Sequence, residues 1–196
     1  MTVDLPDIHA DDGDLAFLLG VLFNQRVRSE QAWQAPIRLK QRLGACDAWH
    51  LADMDEHALA ELIRRGPALH PWGTTMARNI VGTCTVLVRD YDGQARNLWS
   101  DEPTGQALLR RFSSFPGIGR HKARVAIALL TLEYGLTVGG DGAQLTAEAL
   151  ASCPRLTEVI QLHQQPAPIE RTSDVTSDSQ LRRPGPVLQG GRQRTD

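Results

Sequence analysis

LLRRFSSFPGIGRHKARVAIALLTLEYGLTVGGD, residues 108–141, is the stretch whose reading decides the fold. Apolar residues at helical spacing carry one helix up to Phe112. Pro116 then fixes one backbone angle of a tight turn. Gly117 and Gly119 permit positive φ and the close approach of another backbone. A second helix is predicted from Arg120 to about Tyr134. Its first amides have no partner inside the helix and point out of the turn. Together with the helix dipole they form a site for an anion the size of a phosphate. Arg120, Lys122 and Arg124 place positive charge beside it. A plain helix–helix connection would need only the turn. Here the pattern is longer, apolar-x-PGIG-x-x-x-Ala with basic residues opening the second helix, and it points to nucleic acid.

Outward from this hairpin, helical periodicity dominates. Leu15, Leu18, Leu19, Leu22 and Phe23 fall on one stripe. A second helix is predicted from a cap near Ser29 to about Leu43, kinked or interrupted at Pro36. Asp53 and Glu56 are spaced as a capping box before a helix that Gly66 would close. Thr74 or Thr75 would cap the next, whose stripe is Ile80, Cys84, Leu87 and Tyr91 and which Gly93 ends. The first hairpin helix is expected over 104–112, and a shorter helix from Ala143 to Ala151 follows the VGGDG loop. No strand alternation survives counting, so the class is all-α.

Composition sets limits. The 196 residues suffice for one domain or two small lobes sharing a groove. A net charge of −2 gives no global attraction to nucleic acid, so any such footprint must be local. No apolar run approaches the roughly 18–20 residues of a membrane span. The first residues, MTVDLPDIHADDGD, are acidic, and no secretory signal is expected. Cys46, Cys84 and Cys153 are scattered and suggest neither a disulfide framework nor a metal site. No metal or cofactor is expected, and a reducing, cytoplasmic setting fits. The segment from about Gln164 is rich in Pro, Gln, Ser and Thr and has no aromatic residue, so it is expected to be disordered.

FPGIGRHKA resembles the hairpin of the helix-hairpin-helix (HhH-GPD) DNA glycosylases of the endonuclease III superfamily, whose pattern is L/F-P-G-I/V-G-x-x-x-A. LLGVLFNQRV resembles the family's LLxxxLSxQxT helix end, and TTMARNIV its G-x-x-x-x-K-A-x-x-I segment. The resemblance implies an all-helical bundle with a DNA-binding hairpin formed by Pro116, Gly117, Ile118, Gly119, Arg120 and Lys122. It divides the chain into an extension (1–13), a base-excision repair domain (14–163) and a tail (164–196). Where many relatives carry a four-cysteine iron–sulfur loop, this chain offers only Cys153.

The resemblance also assigns roles. Asp141 takes the place of the family aspartate, which stabilises positive charge on the sugar as the base leaves. Asp141 reads equally as the N-cap of the following helix, in a capping box with Gln144. His121 occupies the position of the lysine that forms a Schiff base in bifunctional members. Imidazole forms no lasting iminium, so a monofunctional glycosylase is implied, with water as nucleophile. His121 is otherwise an ordinary first-turn histidine. Gln25 matches a glutamine that fills the gap left by a flipped base, or is a polar helix C-cap. Arg26 and Arg28 beside it could meet phosphates. Trp33 and Trp99 are expected in the core, with Trp72 the candidate exception. The implied partner is double-stranded DNA with a damaged or mispaired base, bound by a monomer in the cytoplasm at the nucleoid. The runner-up is a DNA-binding protein on the same scaffold without catalysis. A third reading is a helical interaction module in which PGIG is only a turn.

Overall fold

The computed structural model describes residues 4–154 together with 156, 157 and 160. The expected tail therefore lies outside the described residues. Among the described residues the secondary structure is helical, apart from one isolated bridge pairing Thr104 with Gly139. The helices are α1 (Gly13–Phe23), α2 (Ser29–Leu43), α3 (Ala48–Ala52), α4 (Glu56–Arg64) and α5 (Gly73–Tyr91), then α6 (Gly105–Ser113), α7 (Arg120–Leu132) and α8 (Gly142–Ser152); a 3-10 turn (Ala95–Leu98) precedes α6. None is long and apolar enough to cross a membrane.

The centre is α1. Its sequence, GDLAFLLGVLF, is apolar on every side, and a helix of that kind is stable only when surrounded. Every residue of it except Ala16 is buried. α2, α5, α7 and the 3-10 turn pack on it, α3 and α4 lean on α5, and α6 and α8 flank α7. Phe17 meets the rings of Trp33, Trp99 and Tyr134 at centroid distances of 5.7, 6.0 and 5.6 Å. Trp33 and Trp99 are thus core residues, as expected. Gly20 lets α2 lie close against α1, because a Cβ there would collide with the Trp33 ring. The stretch before α1 also packs on the core: Ile8 is buried, and Tyr134 donates from its hydroxyl to the Pro6 carbonyl at 2.7 Å.

Several local expectations need correction. α2 runs on through Pro36. Burial of Ala32, Trp33, Ala35, Pro36 and Leu39 along one face outweighs the lost backbone bond. The cap of α4 is Asp55, whose carboxylate accepts from the Ala58 amide at 2.8 Å, whereas Asp53 ends α3. α4 ends at Arg64 with Arg65 extended, so no left-handed glycine closes it, and Gly66 precedes Pro67 across a cis peptide. α5 starts at Gly73 without a threonine cap, and the Thr74 hydroxyl is bonded instead by the Arg64 guanidinium. The α5 stripe is as read, with Ile80, Cys84 and Leu87 buried, and the Gly93 amide closes that helix on the Leu87 carbonyl at 2.9 Å.

A buried helix needs its charged groups matched. Asp14, in the first turn of α1, is 4% exposed. Its carboxylate accepts from the Arg96 amide at 2.7 Å and from Arg96 Nε at 3.3 Å, which fixes the 3-10 turn against α1. Asp14→Ala would leave that amide without its acceptor. We expect a loss of about 1.5–3 kcal/mol in urea unfolding, the range for hydrogen bonds to a charged group; a loss below about 0.5 kcal/mol would mean that the pair is not stabilising.

Candidate nucleic-acid interface

α6 and α7 form the helix–hairpin–helix unit read from the sequence. Phe115 and Ile118 are buried, and the Ile118 amide closes the turn on the Phe115 carbonyl at 3.1 Å. Pro116 packs over Gly82 of α5, where a Cβ would stand 3.0 Å from its ring. Gly117 has φ 76°, and a Cβ there would collide with Asn79. Gly119 differs from expectation. Its φ of −83° suits any residue, and no atom lies within 4 Å of where its Cβ would be. Gly117 is therefore demanded by the fold, whereas Gly119 leaves a bare, exposed surface at the start of α7.

No side chain caps α7, so its first turn offers amides to the outside. Of the three basic residues expected there, Arg120 is exposed. Arg124 faces Glu148 of α8 at 3.8 Å. Lys122 turns inward, and its Nζ donates to the Leu22 carbonyl at 2.8 Å. That carbonyl is one of those left without a helical partner at the end of α1, and an ammonium is well placed at a helix C-terminus. Burial nevertheless pulls the Lys122 pKa down to about 8.

Lys122 thereby ties the hairpin to the turn after α1. Gln25 lies in that turn, half-buried, and Asn24 rather than Gln25 caps the helix. The Gln25 carbonyl is held from another direction by His70. This histidine is 1% exposed, and the Trp72 amide donates to its Nδ1 at 3.2 Å. The proton therefore sits on Nε2, which donates to the Gln25 carbonyl at 3.2 Å. Burial lowers the His70 pKa; the bond to Gln25 acts in the opposite sense, and the Lys122 charge lowers it further. Trp72 is 40% exposed, and the Arg26 guanidinium carbon lies 5.7 Å from its ring centroid. The hairpin, Gln25, Arg26 and Trp72 thus form one connected region. His70 and the Arg26–Trp72 contact were missed in the sequence. A lone histidine between apolar residues (ALHPWG) was the available signal, and nothing local links it to Gln25.

His121 is exposed and lines a cavity of about 90 Å³ with Val21, Asn24, Trp33, Lys122, Val125 and Cys153. Asp141 is not among these residues. It immediately precedes α8, whereas Cys153 immediately follows it; at a rise of about 1.5 Å per residue, roughly 18 Å of helix separates them. The structure does not bring His121 and Asp141 together. Asp141 makes no cap bond to α8 either, and Gln144 bonds Glu148 instead, so the capping box is absent. The Asp141 carboxylate reaches across to α6. It accepts from the Gln106 amide at 3.0 Å and from Gln106 Nε2 at 2.7 Å. The Gly105 amide donates to the Gly139 carbonyl at 2.9 Å, and the Ala107 amide to the Thr104 hydroxyl at 3.3 Å. All three first-turn amides of α6 are satisfied in this way. The Gln106 side-chain bond is the main reason that the Asp141 carboxyl is held below its ordinary range, so the half-buried group is a carboxylate at neutral pH.

The cysteines form no site of their own. Cys46 and Cys84 are buried, which pushes Cys46 up to about 11 and Cys84 higher still. Among the described residues no group of three or more His, Cys, Asp or Glu is placed to hold a metal ion.

The described chain is therefore an all-helical protein carrying a helix–hairpin–helix unit. No family model matches it, and no curated protein matches it. Among solved structures it is similar to one described as a trapped endonuclease III–DNA covalent intermediate, an estranged-adenine complex, at 15% identity over 82% of this chain and 75% of that one, with a TM-score of 0.46.

Two expectations follow from the geometry. Gly117→Ala should lower the thermal midpoint markedly, because it meets both a left-handed backbone and Asn79, whereas Gly119→Ala, at an open N-cap position, should lower it far less; equal effects would contradict the assignment of the two glycines. The neutral form of His70 is favoured in the folded protein, so its stabilising effect is complete above the unfolded pKa of about 6.5 and is lost as pH falls below it. Denaturant titrations between about pH 5 and 7 should show stability falling more steeply with acid in the wild type than in His70→Gln. Parallel curves would show that His70 is not buried neutral.

Proposed function

We propose that this protein binds duplex DNA at a damaged or mispaired base through its hairpin and excises that base as a monofunctional glycosylase. The observation that carries the binding half is the open start of α7: uncapped amides, a bare Gly119 and an exposed Arg120, held rigidly beside Gln25 by Lys122. A backbone phosphate is the anion such a surface suits, and Gly119 leaves room for the strand to approach. Gln25, in the turn after α1, would enter the gap left by an extruded base and offset part of the cost of flipping.

The excision half rests on Asp141 and on the resemblance of FPGIGRHKA and its downstream aspartate to the glycosylases. As the N-glycosidic bond breaks, the sugar gains oxocarbenium character, and a fixed carboxylate stabilises it. Water then adds to the sugar carbon while the electron pair of the broken bond leaves with the base, and the proton lost by the water passes through the Asp141 carboxylate to end on that base. His121 supplies no lasting iminium, so the strand stays intact.

A second reading is favoured by the place of Asp141. Its carboxylate is engaged by Gln106 at the far end of α8 from the His121 cavity. That arrangement suits a helix-hairpin-helix protein that recognises altered DNA without cutting the base away.

The test is an abasic-site assay on duplexes carrying uracil, alkylated purines, 8-oxoguanine or mismatched adenine, with and without hot alkali. Breaks only after alkali, abolished by Asp141→Asn, are the expected result. Asparagine still accepts a bond from α6, so that variant keeps the fold and loses the charge. Breaks without alkali would point to an amine such as Lys122. Salt-dependent binding with no product would favour the second reading. No binding at all would overturn both. Arg120→Gln should weaken binding uniformly across sequences and reduce the slope of log affinity against log salt by about one.

A further inference from the structure

The wall of side chains around α1 is open beside Ala16, the residue of that helix that is not buried. A cavity of about 190 Å³ lies there between α1 and α2. Its apolar lining is Leu15, Ala16, Leu19, Pro36, Ile37 and Cys46. Packed helices leave few gaps wider than a water molecule. This one exceeds the roughly 150 Å³ in which an apolar cavity holds a benzene ring, so it has room for one large apolar side chain. Ile37 is 41% exposed at the same site. The apolar surface therefore continues beyond the cavity, and a ligand that covers both is longer than the cavity itself. A protein segment meets that requirement.

The charged lining is Asp11, Asp12 and Lys40, two carboxylates and one ammonium. Asp12 precedes α1 at φ 59° and makes no cap bond to it. Its carboxylate turns instead to Lys40 Nζ at 3.2 Å, a solvent-exposed and therefore weak pair. Asp11 is exposed and has no ion-pair partner among the described residues. Asp47, next to Cys46, adds a third carboxylate: burial is the main reason that the Cys46 thiol is raised, and Asp12 and Asp47 raise it further while Lys40 opposes them. Arg38 of α2 is exposed but does not line the cavity. The mouth is thus negative and repels phosphate. It also lies along the first two turns of α1, whereas the hairpin is tied to the last turn through Lys122 and Leu22. Charge complementarity at such a mouth selects a basic partner.

We propose that the cavity beside Ala16 receives one apolar side chain, of leucine, methionine or phenylalanine size, from a segment of a partner protein whose neighbouring residues are basic. The apolar side chain completes the packing that α1 lacks at Ala16 and rests against Ile37. The basic residues meet Asp11 and Asp12, and Lys40 competes with them for Asp12. This docking surface is separate from the hairpin and does not depend on what the hairpin binds.

The experiment uses the full chain and fluorescein-labelled peptides of sequence Gly-Ser-Lys-X-Lys-Ser-Gly, with X leucine, methionine, phenylalanine or serine, and the same set with glutamate in place of lysine. Affinity is measured by anisotropy at low and high salt. A lysine peptide with an apolar X should bind about 10-fold or more tighter than the serine peptide, as burial of one apolar side chain gives. It should also bind more tightly than its glutamate counterpart, a difference that shrinks in salt. Ala16→Leu fills the cavity from within, so it should keep or raise the thermal midpoint and weaken the best peptide by about 10-fold. Ile37→Ser, a change on the exposed rim, should weaken the same peptide without altering the midpoint. Lys40→Gln removes the competing ammonium and should tighten binding by about 2- to 5-fold, whereas a merely apolar patch would show no change. The proposal is overturned if no peptide of the panel binds, or if binding is independent of X or of peptide charge. It is equally overturned if Ala16→Leu lowers the midpoint, if Ile37→Ser binds as the wild type does, or if Lys40→Gln fails to tighten binding.

Discussion

A helix buried on all sides leaves the polar groups at its two ends to be satisfied by other elements, and α1 is such a helix. At its start the Asp14 carboxylate takes the Arg96 amide and guanidinium. At its finish the Leu22 carbonyl takes the Lys122 ammonium. These two demands fix where the 3-10 turn and the first turn of α7 must lie. Dispersion and apolar burial hold the bundle together, but they are not directional. The end groups of α1 are, and so they set the register of the hairpin against the core.

The two hairpin helices treat the same physical problem in opposite ways. α6 begins with every first-turn amide satisfied from within the chain, by Gly139, Asp141 and Thr104. Gly105 allows this closure, since a Cβ there would come within 2.8 Å of the Asp141 carboxylate. α7 begins with a glycine that has no side chain to give and open space around it. A buried orphan amide would be costly, whereas a solvated one loses little until an anion displaces the water. The contrast leaves the first amides of α7 to the solvent. It also gives Asp141 a structural duty, independent of any chemistry it performs.

His70 couples the two loops that flank the hairpin. One tautomer satisfies an amide on one side and a carbonyl on the other, and burial keeps the ring neutral. Neither the 24–28 turn nor the loop before α5 has regular structure of its own. Their relative position therefore depends on this bridge and on the Arg26–Trp72 contact. The cost is a left-handed arginine and an exposed indole, both at the same place.

What was legible in the sequence is what near neighbours along the chain decide. The helical class, the α5 stripe, the hairpin turn and the need for glycine at 117 follow from periodicity and backbone sterics within a few residues. Asp55 caps α4 rather than Asp53 because the two aspartates stand two positions apart and either can precede the helix by local pattern alone. Pro36 misled because burial along α2 outweighs a local penalty. Asp141 could be found as a notable residue, but its partner could not: Gln106 is 35 positions away. The same holds for Lys122 and Leu22, 100 positions apart, and for His70 and Gln25, 45 apart. A charge read from the sequence carries no direction. Lys122 turned inward, Arg124 faced Glu148 and only Arg120 of the three stayed exposed, because the tertiary structure decides which unsatisfied helix end or carboxylate each cation can reach.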